Sequence, residues 1–213
     1  MPSLPSIYTA WSSCFCRLRS VWAAGLLLFA LGPHGEAATV VLDAGHGGHD
    51  PGGIPGQRHI EKHAALRVAK LVQLRLRAAG HRVLMTRTTD VFVELSKRVA
   101  ISNRSSANSV FVSIHFNSAP NRDAHGIETY YYNERSLPLA QAIHQRVLRA
   151  TGEDDRSVRK ARFYVLRNNR QIAALAELGF LTNEQEGGRI ARSSDYCRRL
   201  SAAVAEGILS VLR

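Results

Sequence analysis

Cysteine is almost missing from this sequence: of three in 213 residues, Cys14 and Cys16 precede residue 39 and only Cys197 follows it. An internal disulfide is therefore excluded for 39–213, and stability there must come from packing. Cys197, beside Tyr196 in a helical pattern, reads as a partly buried, inert thiol. A long apolar run is also lacking. The uncharged stretch Val21 to Leu31 has about eleven residues, where a membrane-spanning helix needs roughly 20. Acidic residues are few, 17 against 28 Lys and Arg. No internal repeat, linker or second domain is visible. Nothing has the spacing of a zinc finger, a basic zipper or an aromatic-rich single-strand-binding sheet, which removes nucleic acid from the expected partners.

What is present begins with a leader. Arg17 and Arg19 precede the apolar run, which meets Gly32, Pro33 and the small-residue stretch Gly35-Glu36-Ala37-Ala38. That order resembles a signal peptide cleaved near Ala37 or Ala38, so residues 1–38 are expected to be removed and 39–213 to form one exported domain without a stable membrane span. The stretch before Arg17 is long for a leader, which leaves open a later start codon or an uncleaved tether. The net charge of +11 falls only to +10 on loss of Arg17, Arg19 and Glu36. A strongly basic exported domain favours a polyanion, and the carboxylate- and phosphate-bearing cell wall fits export to the periplasm or cell envelope.

From residue 39 short apolar segments alternate with amphipathic ones, as in an α/β layer structure. Thr39 to Asp43 reads as a buried first strand running into a turn with Gly45, Gly47, Gly48, Gly52 and Gly53. Ala65, Ala69, Val72, Leu76 and Ala79 recur at helical spacing, predicting a helix over Glu61 to Ala79 stopped by Gly80. Strands are expected over His81 to Thr86, Ser109 to His115 and Gly126 to Tyr132, with a helix over Glu94 to Arg104. Ser136 and Pro138 open a helix that Gly152 ends, and a polar, basic loop follows. Phe163 to Leu166 and Ile172 to Leu178 are expected as the last two strands, and Tyr196, Leu200, Val204 and Ile208 as the inner stripe of a terminal helix.

Three side chains fall where this topology gathers sites, at the carboxyl ends of strands: His46 past the first strand, Glu61 on the first turn of the next helix, and His115 ending the third. Two imidazoles and a carboxylate offer Zn²⁺ three ligands with one position open, the mark of a catalytic rather than a structural site. Spacing leaves His49 and His63 as rivals for a ligand position. Glu177 closes the mostly apolar run Ile172 to Ala176, and a buried-strand carboxylate is usually paired, protonated or functional. A salt bridge to one of the arginines is the plain alternative.

Taken together, Leu42-Asp43-Ala44-Gly45-His46-Gly47-Gly48-His49-Asp50-Pro51-Gly52, Glu61-Lys62, Ser113-Ile114-His115-Phe116-Asn117 and Glu177-Leu178-Gly179-Phe180-Leu181-Thr182-Asn183 closely resemble the zinc-dependent N-acetylmuramoyl-L-alanine amidase family of cell-wall hydrolases. The resemblance runs from Thr39 to the C-terminus. It implies a single-domain, zinc-peptidase-like α/β fold with a mixed, largely parallel sheet. It also implies one Zn²⁺ on His46, Glu61 and His115, Glu177 as catalytic carboxylate, and peptidoglycan as substrate. Asn117 and Glu128 are candidate substrate-binding or supporting groups, and the basic run containing Arg159, Lys160, Arg162, Arg167 and Arg170 a candidate contact for stem-peptide carboxylates.

Two departures from the family pattern stand out. Phe116 occupies a position where a small residue is common, so the floor or access of the cleft is expected to differ. The segment Asn117 to Gly126 is too short for the inhibitory helical insertion of some division-associated relatives. The domain is therefore expected not to block itself, although an activating partner is left open; a monomer is the default expectation. The rival readings are a zinc peptidase or amidohydrolase acting on another amide bond, and a non-catalytic wall-binding module.

Overall fold

The computed structural model of the protein describes residues 38–212, so the expected leader up to Ala37, with Cys14 and Cys16, lies outside the described residues. Six strands form one sheet: β1 (Thr39–Ala44), β2 (Arg82–Met85), β3 (Val110–Asn117), β4 (Ile127–Tyr131), β5 (Asp155–Lys160) and β6 (Ile172–Phe180). Their order is β2-β1-β3-β6-β4-β5. β2, β1, β3 and β6 run parallel, while β4 pairs antiparallel to β6 and parallel to β5. This is the expected mixed, largely parallel α/β sheet. The helices are α1 (Glu61–Ala78), α2 (Leu95–Asn103), α3 (Leu137–Thr151), α4 (Tyr164–Arg167), α5 (Glu184–Arg192) and α6 (Ser194–Leu209).

The side-chain alternation of the strands decides what lies on each face. Val40, Leu42 and Ala44 of β1, Val110, Val112, Ile114 and Phe116 of β3, and Ala174, Ala176 and Leu178 of β6 face α1, α3 and α6 in the larger core. The intervening Val41, Phe111, Ala173 and Leu175 meet Val99 of α2 and Val165 and Leu166 of α4 in a smaller one. Asp43, Ser113, His115 and Glu177 share the parity of that thinly covered face. Phe116 takes the opposite parity, and its side chain is buried in the larger core.

Three segments depart from the expectations. Phe163 to Leu166 is a helical turn and not a strand, because its buried residues Val165 and Leu166 are consecutive while Phe163 and Tyr164 are exposed. The remaining strand is β5, in the segment expected as a basic loop. As a sheet edge whose residues are all exposed or half-buried it needs no apolar period, and its sequence DRSVRK has none. The unexpected α5 holds one large apolar residue, Ile190, and two glycines. Its start is set by Asn183, whose side chain accepts from the Gln185 and Glu186 amides. α3 ends as expected at Gly152, in the left-handed region at φ 69°.

Candidate metal centre

The loop after β1 brings His46 into place through its carbonyls. Gly45 N–H continues the ladder to Ile114 O at 3.0 Å, after which His46 takes φ 58°, a conformation costly for a residue with a Cβ. Two buried guanidiniums hold it there. Arg87 Nε donates to Ala44 O at 2.9 Å and its Nη2 to Gly45 O at 2.6 Å. Arg98 of α2 donates from Nη1 to Ala44 O at 2.6 Å and from Nη2 to His46 O at 2.7 Å. Arg98 Nη1 also reaches Asp43 Oδ1 at 2.7 Å, and Thr86 and Ser113 donate hydroxyls to the same carboxylate. Burial alone would raise the Asp43 pKa, but Arg98 and these donors hold it below the ordinary value.

From this frame His46, Glu61 and His115 converge, each offering one ligand atom, with all three within 4.8 Å of one another. His46 Nε2 lies 3.1 Å from Glu61 Oε2, and His115 Nδ1 lies 2.9 Å from Glu61 Oε1. On the far side of the His46 ring, Nδ1 bonds Asp50 Oδ2 at 2.8 Å, the outer carboxylate that leaves Nε2 free to ligate. Phe116 N–H donates to Glu61 Oε1 at 3.0 Å. Burial works to raise the Glu61 pKa, yet the bonds from His115 and His46 pull it down to about 2. Burial works against a charge on His115, and its bond to Glu61 reverses this and carries its pKa to about 9.

Two glycines make room for the cluster. A Cβ on Gly45 would stand 2.4–2.7 Å from atoms of the His115 ring, and one on Gly52, at φ 73°, would stand 2.5 Å from Glu61 Oε2. The donor set of two imidazoles and one carboxylate, oriented by Asp50 and cradled by glycine, suits a divalent metal of the zinc type. His49 lies with its ring against Phe92 at 4.1 Å, and His63 is exposed beside Asp90, so neither rival joins the cluster.

Two carboxylates stand beside it in different states. Glu177 pairs with His115 across β3 and β6 and with Glu128 across β6 and β4. Glu128, 4% exposed, accepts from Asn117 Nδ2 at 2.8 Å, Tyr130 Oη at 2.7 Å and Arg156 Nε at 3.0 Å. Glu177 Oε2 is buried with no hydrogen-bond partner among the described residues. Burial raises the Glu177 pKa to about 7; the nearby His115 opposes this, while Glu61 and Glu128 add to it. The salt bridge considered for Glu177 is formed by Glu128 instead.

The cluster opens into a cleft of about 640 Å³, lined by Phe92, Leu95, Phe163 and Tyr164 together with Leu175 and Glu177. Asn117 lines the cleft and Glu128 lies behind it, whereas Arg167 is exposed on α4 away from it. The arginines that reach Glu128 are Arg156 and Arg159, the latter at 3.8 Å. Arg87, Arg98 and Asp43 carry the loop, and the motifs alone did not single them out. Asp43 bears the signal that marked Glu177, a carboxylate inside an apolar strand.

The chain matches the family model described as N-acetylmuramoyl-L-alanine amidase over residues 40–210. It is 36% identical to the uncharacterized protein YqiI of Bacillus subtilis, over 89% of this chain and 95% of that protein. It is 32% identical to the N-acetylmuramoyl-L-alanine amidase LytC of the same organism, over 82% of this chain but only 36% of that longer protein. Among solved structures, the catalytic domain of the amidase CwlV from Bacillus (Paenibacillus) polymyxa superposes with a TM-score of 0.77 at 35% identity, covering 82% of this chain and 98% of that one.

Proposed function

Because the chain belongs to the N-acetylmuramoyl-L-alanine amidase family, and so to the cell-wall hydrolases, we propose that it cuts the amide bond between the lactyl group of N-acetylmuramic acid and the L-alanine of the stem peptide, with Glu177 as general base and His46, Glu61 and His115 holding zinc. The observation that carries this reading is the pairing of a three-ligand cluster with one adjacent carboxylate whose buried oxygen has no partner among the described residues. Export to the periplasm or cell envelope, with residues 1–38 as the removed leader, follows from a substrate outside the cytoplasm.

Held by these three side chains, zinc supplies Lewis-acid chemistry, drawing electrons from the scissile carbonyl and acidifying the attacking water. Glu177, with its pKa near 7, accepts a proton from that water as it attacks the lactyl carbon. It then returns the proton to the alanine nitrogen as the C–N bond breaks. Asn117 and Glu128 line and back the same edge, where Arg156 and Tyr130 keep the Glu128 carboxylate occupied and leave Glu177 to do the proton transfer. Asp50 holds the His46 ring in the ligating orientation.

The test is mass spectrometry of peptidoglycan digested by the purified chain, run with zinc, with a chelator, and with zinc restored. Free stem peptides beginning with L-alanine, formed only when metal is present, are expected. Shortened peptides still attached to muramic acid make the protein a zinc peptidase instead.

A further inference from the structure

The outer surface of the helix layer, on the sheet face away from Glu177, carries a concentration of unshared positive charge. α1 presents Lys70, Arg75 and Arg77 to solvent. α6, which packs between α1 and α3, presents Arg198 and Arg199, and α3 adds Arg146 and Arg149. Against these seven cations the exposed surfaces of the three helices hold two carboxylates, Asp195 and Glu206. Both are engaged: Glu206 by Arg146 at 3.1 Å, and Asp195 by Arg198 and Arg199 at 3.6 Å each. Lys70, Arg75, Arg77 and Arg149 have no carboxylate partner among the described residues. Between α3 and α6 the surface dips into a groove of about 310 Å³ lined by Arg146, Arg149 and Arg199, with Glu206 paired to Arg146, over the small side chains of Ala150, Ala202 and Ala203.

Self-repulsion makes such a face costly to keep without a counter-charge, and a cluster of one sign attracts an extended polyanion over roughly a Debye length. The cations beside the cleft are differently placed: Arg156 and Arg159 face Glu128, and Lys160 bonds Glu134. Arg162, Arg167 and Arg170 are exposed on the segment beside the cleft, whereas the helix layer gathers its cations on three packed helices away from it. We propose that the α1–α6–α3 face is a second, non-catalytic contact with peptidoglycan, its arginines binding stem-peptide carboxylates of a region of the polymer other than the one in the cleft. The proposal rests on the amidase reading. It makes one domain both cutter and tether, raising the local concentration of cleavable bonds without adding a contact at the cleft.

The contact is tested with the purified full chain and the charge-reversed variants Arg149→Glu/Arg199→Glu and, independently, Lys70→Glu/Arg77→Glu, each checked by thermal melting. Sedimentation with insoluble peptidoglycan sacculi at low and high salt is compared with turnover of sacculi and of a soluble muramoyl-peptide monomer. Reversal on either helix face is expected to lower sedimentation and sacculus turnover by at least about tenfold. Monomer turnover stays unchanged, and salt reduces the wild-type advantage. Unchanged sedimentation by both folded variants overturns the proposal, as does a parallel loss on the monomer. Binding of the wild type to phosphatidylglycerol vesicles in preference to sacculi overturns it in favour of a lipid surface. If no protein cuts either substrate the amidase reading fails, while the sedimentation comparison still judges the basic face.

Discussion

The role of each carboxylate at the cleft follows from how many donors reach it. Glu128 has a register position next to Glu177, yet three hydrogen-bond donors already occupy its oxygens. Glu177 has a buried oxygen with none among the described residues. Glu177→Ala is therefore expected to bind zinc as the wild type does while kcat falls by about 10² to 10⁴, the usual worth of general acid–base help. Retained turnover in a zinc-loaded Glu177→Ala protein rejects the assignment. Glycine matters here for the space it leaves. A methyl group on Gly45 would sit 2.4 Å from His115 Cε1, so Gly45→Ala should displace the ring. It is expected to weaken zinc binding by at least about tenfold, since lost support of a ligand commonly costs that much. A competition titration against a chromogenic chelator reads this directly.

At the scale of elements, the β1–α1 loop is held from behind by α2 and by the segment after β2. Removing the Arg98 guanidinium strands Asp43, 1% exposed, as an uncompensated buried charge. Arg98→Met should therefore cost about 3–5 kcal/mol of stability, measured by denaturant unfolding, and zinc affinity should fall with it because His46 O loses its donor. A second buried carboxylate governs α5. Glu186, 0% exposed, accepts the Phe180 amide at 2.7 Å and the Gly126 amide at 3.2 Å through Oε2. Burial lifts its pKa from the ordinary 4.5 to about 7. The folded chain thus keeps a proton that the unfolded chain releases between those values. Its contribution to stability is complete below pH 4.5 and is lost as pH rises through 7, by up to about 3 kcal/mol. Glu186→Gln keeps one oxygen for both amides and has no proton to lose, so its melting temperature should vary less than the wild type's from pH 5 to pH 8 and exceed it at pH 8. A variant that follows the wild-type profile shows that Glu186 does not titrate in this range.

At the scale of the whole molecule, a short connection of residues 118–126 joins β3 to β4 without a helix, so this connection places no helix over the cleft that Phe92 and Phe163 line. The purified chain is accordingly expected to cut peptidoglycan without an added partner, and a strict need for an activator in a digestion assay contradicts this. The strands with apolar periods are legible in the amino-acid order, because burial on both faces leaves a run such as Val40-Val41-Leu42 with no other use. β5 and α5 are not, since an exposed edge strand and a short capped helix leave almost no hydrophobic pattern to read. Motif order likewise marks His46, Glu61, His115 and Glu177, each in or beside an element whose direction the pattern already implies. The amino-acid order by itself thus determined the layer architecture and the chemical types at the site. The pairing of β4 against β6 decided that Glu128 and Glu177 stand side by side and which of them is left without donors. Packing of α2 behind the loop decided that Arg87 and Arg98 hold His46 in a left-handed turn. Both depend on contacts between residues far apart in the chain, which local periodicity does not encode.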